Sequence, residues 1–326
     1  MTEVPVLLII FNRPNTTAKV FEAIRRVKPT RLYIAADAPG KDKPEDNEKC
    51  KAARAVTDTI DWPCKVERLY QEDNLGCSLG PRTAFNWFFS QEKEGIILED
   101  DCVPHPDFFL FAGEMLNRFR DNKKIISING SNLGYKPSHG YSYSFSRFMN
   151  MWGWATWADR AKEIDYSLNE WKKIKSPLWY LYRKMRQGLF DTDINWYKYW
   201  KHKFDLTVTT NFTWWDWQWI YHQLANRQYS VVPAVNLVTN IGFTSDATHT
   251  HEETNPAANI PVGAMPVSYR HPLKVKPDFI YEEEYVKWVW CYHKRLPFSF
   301  YFKQMIRSIL KLENVPNQVP VNKEYL

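Results

Sequence analysis

A mostly parallel α/β sheet flanked by helices is the fold class this sequence predicts, and three observations predict it. Short apolar runs recur at residues 4–11, 31–37, 64–70, 96–98 and 125–130. Stretches with helix-like patterning separate them, as in successive strand–helix–strand units with right-handed crossovers. Several of the runs are apolar without alternation, the pattern of strands buried on both faces.

Taken in order, residues 4–11 read as the first buried strand, and Asn12-Arg13-Pro14 leads into a helix to about Val27, with Asn15-Thr16-Thr17 as its cap. A helix N-terminus beside Arg13 offers backbone N–H groups and a guanidinium fork, a seat for a base or a phosphate. An ion pair on the rim would equally explain Arg13. The second strand, residues 31–37, ends in Asp37, whose carboxylate could accept from a base N–H or a ribose hydroxyl. A helix over 45–60, a third strand over 64–70 and a helix over 81–92 follow. The loop before that last helix carries Asn74, Gly76 and Arg82, which either face a substrate or serve the turn.

The centre of the chain is Ile96-Ile97-Leu98 running straight into Glu99-Asp100-Asp101. Acid triplets are common on solvated loops, but a surface loop has no reason to be fed by three buried apolar residues. In open α/β sheets ligands gather at the carboxyl ends of strands, and carboxylates there can hold a hard divalent ion that bridges to a phosphorylated substrate. Pro104 and Pro106 stop the strand, and Asp107 is expected to cap a helix from Phe108 to Arg120.

Beyond a strand at 125–130 the texture changes to Tyr, Ser and Trp, then to aromatic and basic helical segments over 166–204. Thr213-Trp214-Trp215-Asp216-Trp217-Gln218-Trp219 sets one acid among four tryptophans at the head of a helix. Such an aspartate is either a cap or, with aromatic walls that grip a sugar and raise its pKa, a general base. A strand at 231–240 precedes a polar loop, 242–251, that could close over a substrate as a lid; its His249 and His251 are candidates for metal or diphosphate contact. From residue 285 to 312 there are six Lys or Arg and no acid, with an apolar stripe through Phe302, Met305, Ile306, Ile309 and Leu310. That pattern suits either an anionic membrane surface or packing on the chain's own domain.

Composition narrows the classes. With 326 residues, 44% hydrophobic and 15 Trp, the chain is globular. A net charge of +6 favours anionic partners but falls short of a nucleic-acid binder, and no nucleic-acid motif is present. Cys50, Cys64, Cys77, Cys102 and Cys291 form no Cys-x-x-Cys pair, which favours a reducing compartment and disfavours a zinc cluster. Neither a Gly-x-Gly-x-x-Gly fingerprint nor a Walker loop follows the first strand. Residues 4–11 are too short to span a bilayer and lack the features of a signal peptide, so a cytoplasmic location is expected.

The order of these features resembles a known family. Residues 4–13, the strand ending in Asp37, Glu99-Asp100-Asp101 with its trailer Pro106-Asp107-Phe108-Phe109, Gly153-Trp154, Trp214-Trp215-Asp216-Trp217 and the late strand through Pro233 are similar to the metal-dependent inverting glycosyltransferases of the GT-A fold. The nearest likeness is to the N-acetylglucosaminyltransferase I family and its bacterial relatives, over about residues 4 to 250. The resemblance implies that Asp101 ligates the Mn²⁺ (or Mg²⁺) that carries a nucleotide diphosphate, that Asp100 and Glu99 contact ribose and donor sugar, and that Arg13 and Asp37 hold the uracil end. In the family's Trp-Asp-Asp-Trp element one acid is the base; here Trp215 stands at the first acid position and Asp216 remains. The implied reaction moves a sugar, GlcNAc-type by preference, from UDP to a glycan or lipid-linked glycan, as in bacterial surface polysaccharide assembly.

The expected organisation is a nucleotide-sugar half, residues 1–135, an acceptor half, 136–265, and a basic aromatic helical extension, 266–326, which could touch the inner face of the membrane. Two other classes remain open at this point: a sugar nucleotidyltransferase, which would be expected to carry a Gly-rich basic loop after its first strand, and a non-enzymatic glycan- or membrane-binding module.

Overall fold

The computed structural model of the protein describes residues 2–41, 43–174, 194–209, 214–243 and 258–290. In chain order the elements are β1 (Val6–Ile10), α1 (Pro14–Val27), β2 (Arg31–Ala36), α2 (Glu45–Val56), β3 (Lys65–Tyr70), α3 (Gly76–Gln91), β4 (Glu94–Glu99), β5 (Cys102–Pro104), α4 (Pro106–Phe119) and β6 (Ile125–Asn129). Then come β7 (Tyr143–Ser146), β8 (Trp154–Trp157), α5 (Ala158–Ala161), α6 (Asn169–Ile174), α7 (Ile194–Thr209), α8 (Asp216–Ala225), β9 (Tyr229–Pro233), β10 (Val238–Asn240) and α9 (Phe279–Trp290).

Eight strands form the central sheet in the order β3-β2-β1-β4-β8-β6-β9-β7. The four from the first half pair in parallel, so β1, β2 and β4 all point their carboxyl ends to one edge. Strand β8 then runs antiparallel between β4 and β6 and joins the two halves into one sheet. A mostly parallel sheet flanked by helices is therefore what the chain builds, the architecture expected of the GT-A fold.

Side chains alternate across each strand, so an unbroken apolar run feeds two cores at once. Val6, Leu8 and Ile10 of β1 pack with Phe21 and Ile24 of α1 and with Phe108, Phe111 and Met115 of α4. Leu7 on the opposite face packs with Tyr33 and with Ala84, Phe85 and Phe88 of α3. A third cluster lies under the second half and gathers Trp171, Trp200, Phe204, Trp217, Tyr221, Tyr281 and Tyr285. Most of the described tryptophans are thus core, and the segment 266–290 packs onto that core through Tyr281 and Tyr285 rather than hanging from it. Glu282, almost fully buried, ties α9 to the end of β7 by accepting from the Arg147 backbone N–H, Nε and Nη2.

Local signals misplaced three helix starts. Helix α1 begins at Pro14 after Arg13 with no side-chain cap; the Thr16 and Thr17 hydroxyls instead donate back to the Arg13 carbonyl. Helix α4 begins at Pro106, a favoured first position, and His105 caps it by accepting from the Asp107 N–H. Asp107 is therefore not the cap: its carboxylate accepts from the Met265 N–H at 2.8 Å. Helix α3 starts at Gly76, five residues before the expected Pro81, because Asp37 of the neighbouring strand end binds the N–H groups of Leu75 and Gly76. The single late strand expected over 231–240 is two strands, since β9 stays in the main sheet while β10 leaves it to pair with β5.

Candidate active site

Strand β4 delivers Glu99, Asp100 and Asp101 to the carboxyl edge of the sheet, beside the end of β1 and the start of α1. Arg13, fixed there by the hydroxyls of Thr16 and Thr17 on its carbonyl, spans two of the acids: Nη2 donates to Asp100 Oδ1 at 2.5 Å and Nη1 to Asp101 Oδ2 at 2.9 Å. Asp100 is 3% exposed and also accepts from the Phe11 N–H. Burial works against a charged guanidinium, yet Asp100 and Asp101 outweigh it and hold Arg13 more firmly protonated than a free arginine.

The second half closes over this ion pair. Strand β10 pairs with β5, and the Ile241 N–H binds the Asp101 carbonyl at 2.9 Å. Gly242 then lies directly on the carboxylate: a Cβ there would sit 2.2 Å from Asp101 Oδ2 and 3.0 Å from Arg13 Nη1. Beneath, the Gly130 N–H donates to the Gly153 carbonyl at 2.7 Å, and Gly153, at φ +63°, leaves no room for a Cβ against Val238. The close approach of the ends of β4, β6 and β10 rests on that bare backbone.

Glu99, half-buried, has no hydrogen bond or ion pair to its carboxylate among the described residues. Burial raises its pKa, and the charges of Asp101, Asp100 and Asp216 add to the effect. Burial also raises Asp100, with Arg13 opposing. That Glu99 feels Asp216 places the aspartate of the tryptophan element within reach of the acid triplet. Asp216 opens α8, and burial pushes its pKa up to about 6 against the opposing pull of the backbone N–H groups of Asp216 and Trp217 and of Lys203. The rings around it are fixed by neighbours: Trp214 meets Trp217 edge-on at 4.0 Å, Phe85 of α3 meets Trp215 at 4.8 Å, and the Ser78 hydroxyl and Gln218 amide donate to the Trp214 carbonyl.

Among the described residues no three His, Cys, Asp or Glu form a metal cage, and both Asp101 oxygens already accept, Oδ2 from Arg13 and Oδ1 from the Cys102 thiol; a hard ion held by Asp101 would take the rest of its shell from diphosphate and water oxygens. Four carboxyl groups lie near Arg13 and Lys203, and burial raises three of them, Glu99, Asp100 and Asp216, toward the neutral form.

The structure thus brings Arg13, Glu99, Asp100, Asp101 and Asp216 to one edge of the sheet. Asp37 stands at the neighbouring end of β2, but the N–H groups of Ala38, Leu75 and Gly76 already occupy its oxygens; burial still raises its pKa against these three bonds. His249 and His251, and most of the expected lid, lie outside the described residues. Sequence reasoning passed over two positions. Gly242 carried only a generic loop signal, and Lys203 sat unremarked one helical turn after Tyr199 in an aromatic stretch.

No protein-family model matches the chain and no curated protein matches it. Among solved structures it is similar to mouse xyloside xylosyltransferase 1 in its apo form, at 12% identity and TM-score 0.31 over 68% of this chain and 80% of that one. It is also similar to 4-diphosphocytidyl-2C-methyl-D-erythritol synthase from Anaerococcus prevotii, at 10% identity and TM-score 0.31 over 53% and 78%. A third likeness is to HddC from Yersinia pseudotuberculosis, at 9% identity and TM-score 0.29 over 49% and 78%. At these scores the likenesses assign neither activity nor residue roles.

Proposed function

We propose that this chain is a metal-dependent inverting glycosyltransferase that moves a sugar, GlcNAc-type by preference, from a UDP-sugar to a glycan or lipid-linked glycan acceptor. The observation that supports it most is the nearness of two carboxyl environments: the acids at the end of β4, two of them paired with Arg13, and Asp216 at the head of α8, whose charge Glu99 feels. In this reading Arg13 stands at the uracil end, Asp37 shapes that end through the Leu75 and Gly76 backbone it holds, Glu99 and Asp100 stand at ribose and sugar, and His249, outside the described residues, is assigned to the diphosphate.

Mn²⁺ or Mg²⁺, held by Asp101, would supply neutralisation of the leaving diphosphate. The residues of the chain do the rest. Arg13 fixes Asp101 in place, with Gly242 packed closely against the pair. Trp214 supplies a flat apolar wall for a sugar face. Asp216, raised to about 6, is ionised at neutral pH yet basic enough to take the acceptor's proton. The acceptor oxygen attacks the anomeric carbon from the side opposite the diphosphate. The new C–O bond forms as the bond to the diphosphate oxygen breaks, the proton passes to Asp216, and configuration inverts.

Thermal stability with UDP and Mn²⁺, singly and together, tests the donor half: the pair should stabilise the protein and neither alone should match it, with the effect gone in Asp101→Ala. A screen of UDP- and GDP-sugars for metal-dependent turnover then tests the chemistry, with UDP-sugars expected to be used. Turnover indifferent to divalent ions would overturn the proposal. Among the described residues no helix is long and apolar enough to cross a membrane. In this reading a lipid-linked acceptor is met through the basic residues after 285.

A further inference from the structure

Lys203 faces α8 from α7. Its Nζ lies 4.5 Å from the ring centroid of Trp217, 5.5 Å from that of Trp214 and 5.3 Å from that of Tyr199. Among the described residues the ammonium makes no hydrogen bond and no ion pair, so ring faces are its close contacts. Trp214 and Trp217 are also the residues that bracket Asp216. The arrangement differs from that at Asp101, where Arg13 occupies a carboxylate oxygen directly.

We infer that Lys203 is a positioning residue for Asp216: three aromatic rings pen its ammonium so that its charge acts on the carboxylate without a salt bridge to it. A direct salt bridge would consume the lone pair a base needs; a cation held back by rings supplies the field without the bond. Burial lowers the pKa of Lys203, and Asp216 opposes that shift. Among the described residues, Glu99 from β4 and Tyr285 from α9 also feel the charge of Asp216, and neither is a cation. His202, beside Lys203 on α7, is itself lowered by burial and by that lysine.

This rests on Asp216 being the base, and the experiment separates the two ideas. The carboxyl of Asp216 is titrated by ¹³C NMR in the full chain, its resonance assigned by loss in Asp216→Asn, alongside the pH profile of sugar transfer. Lys203→Met should move the Asp216 midpoint and the acidic limb of kcat alkaline by about one pH unit, and Lys203→Arg should restore both. If Lys203→Met perturbs the fold, the arginine variant against the wild type carries the test, because a merely structural lysine would let the midpoint drift with packing and not follow charge. An unmoved midpoint in Lys203→Met overturns the inference. Transfer that survives Asp216→Asn overturns the base assignment instead, and the NMR titration still reads the influence of Lys203.

Discussion

Two aspartates near the carboxyl end of β4 are treated in opposite ways. Asp101 sits on the rigid parallel sheet, held by a guanidinium at 2.9 Å and pressed by Gly242. Asp216 opens a helix in the aromatic half, with no ion pair within contact distance among the described residues and a pKa pushed up to about 6 by burial. One is fixed by an arginine, as a ligand must be held in place; the other is poised near neutrality, as a base must be. The lesson is that the partner chosen for a carboxylate, an arginine fork or a tryptophan wall, decides its chemistry more than its place in a motif.

The sharpest way to break this contrast is to remove the charge on each side in turn. Asp101→Asn should abolish the joint stabilisation by UDP and Mn²⁺ and reduce transfer to background, read by calorimetric titration and by turnover. Asp216→Asn should leave that donor binding intact and slow transfer by about 10²–10⁴-fold, the ordinary worth of a general base. If both variants lose donor binding, the division of labour is wrong.

A smaller effect tests how tightly the second half clamps the first. Gly242→Ala forces a methyl group within 2.2 Å of Asp101 Oδ2, so the ion pair must shift. The expected cost is about 1–3 kcal/mol of stability, seen in denaturant unfolding, together with donor binding weakened by about tenfold.

The smallest effect is on the resting protein. Because the folded-state pKa of Asp216, about 6, lies above its ordinary value of 3.8, ionising it in place opposes folding. That opposition is absent at low pH, where the group is protonated in both states, and complete once pH has risen through the folded value. Asp216→Asn should therefore melt a few degrees above the wild type near neutral pH, and the gain should vanish as pH falls below about 4. Melting curves at both pH values check it; equal melting at neutral pH would mean that burial does not burden the ionised Asp216.

How much of this was legible beforehand differs along the chain. Val6 to Ile10 and Ile96 to Leu98 announced buried parallel strands because a strand covered on both faces needs no polar alternation, and the acids following Leu98 announced the cleft edge. Asp216 stood out by composition, one acid among four tryptophans. The start of α3 was not legible, since its first amides are bound by Asp37 from another strand, and neither was the role of Asp107, whose partner is Met265. Gly242 carried only a loop signal and Lys203 no local mark.

What the sequence determined by itself was the set of elements and the identity of the charged groups, because strand burial and helix periodicity are written in neighbouring residues. What only the tertiary structure decided was which charge meets which. Arg13 reaches Asp100 and Asp101 across nearly ninety residues, and Lys203 reaches Asp216 through rings rather than through contact. Electrostatic fate depends on distance and burial in three dimensions, and neither can be read from spacing along a chain.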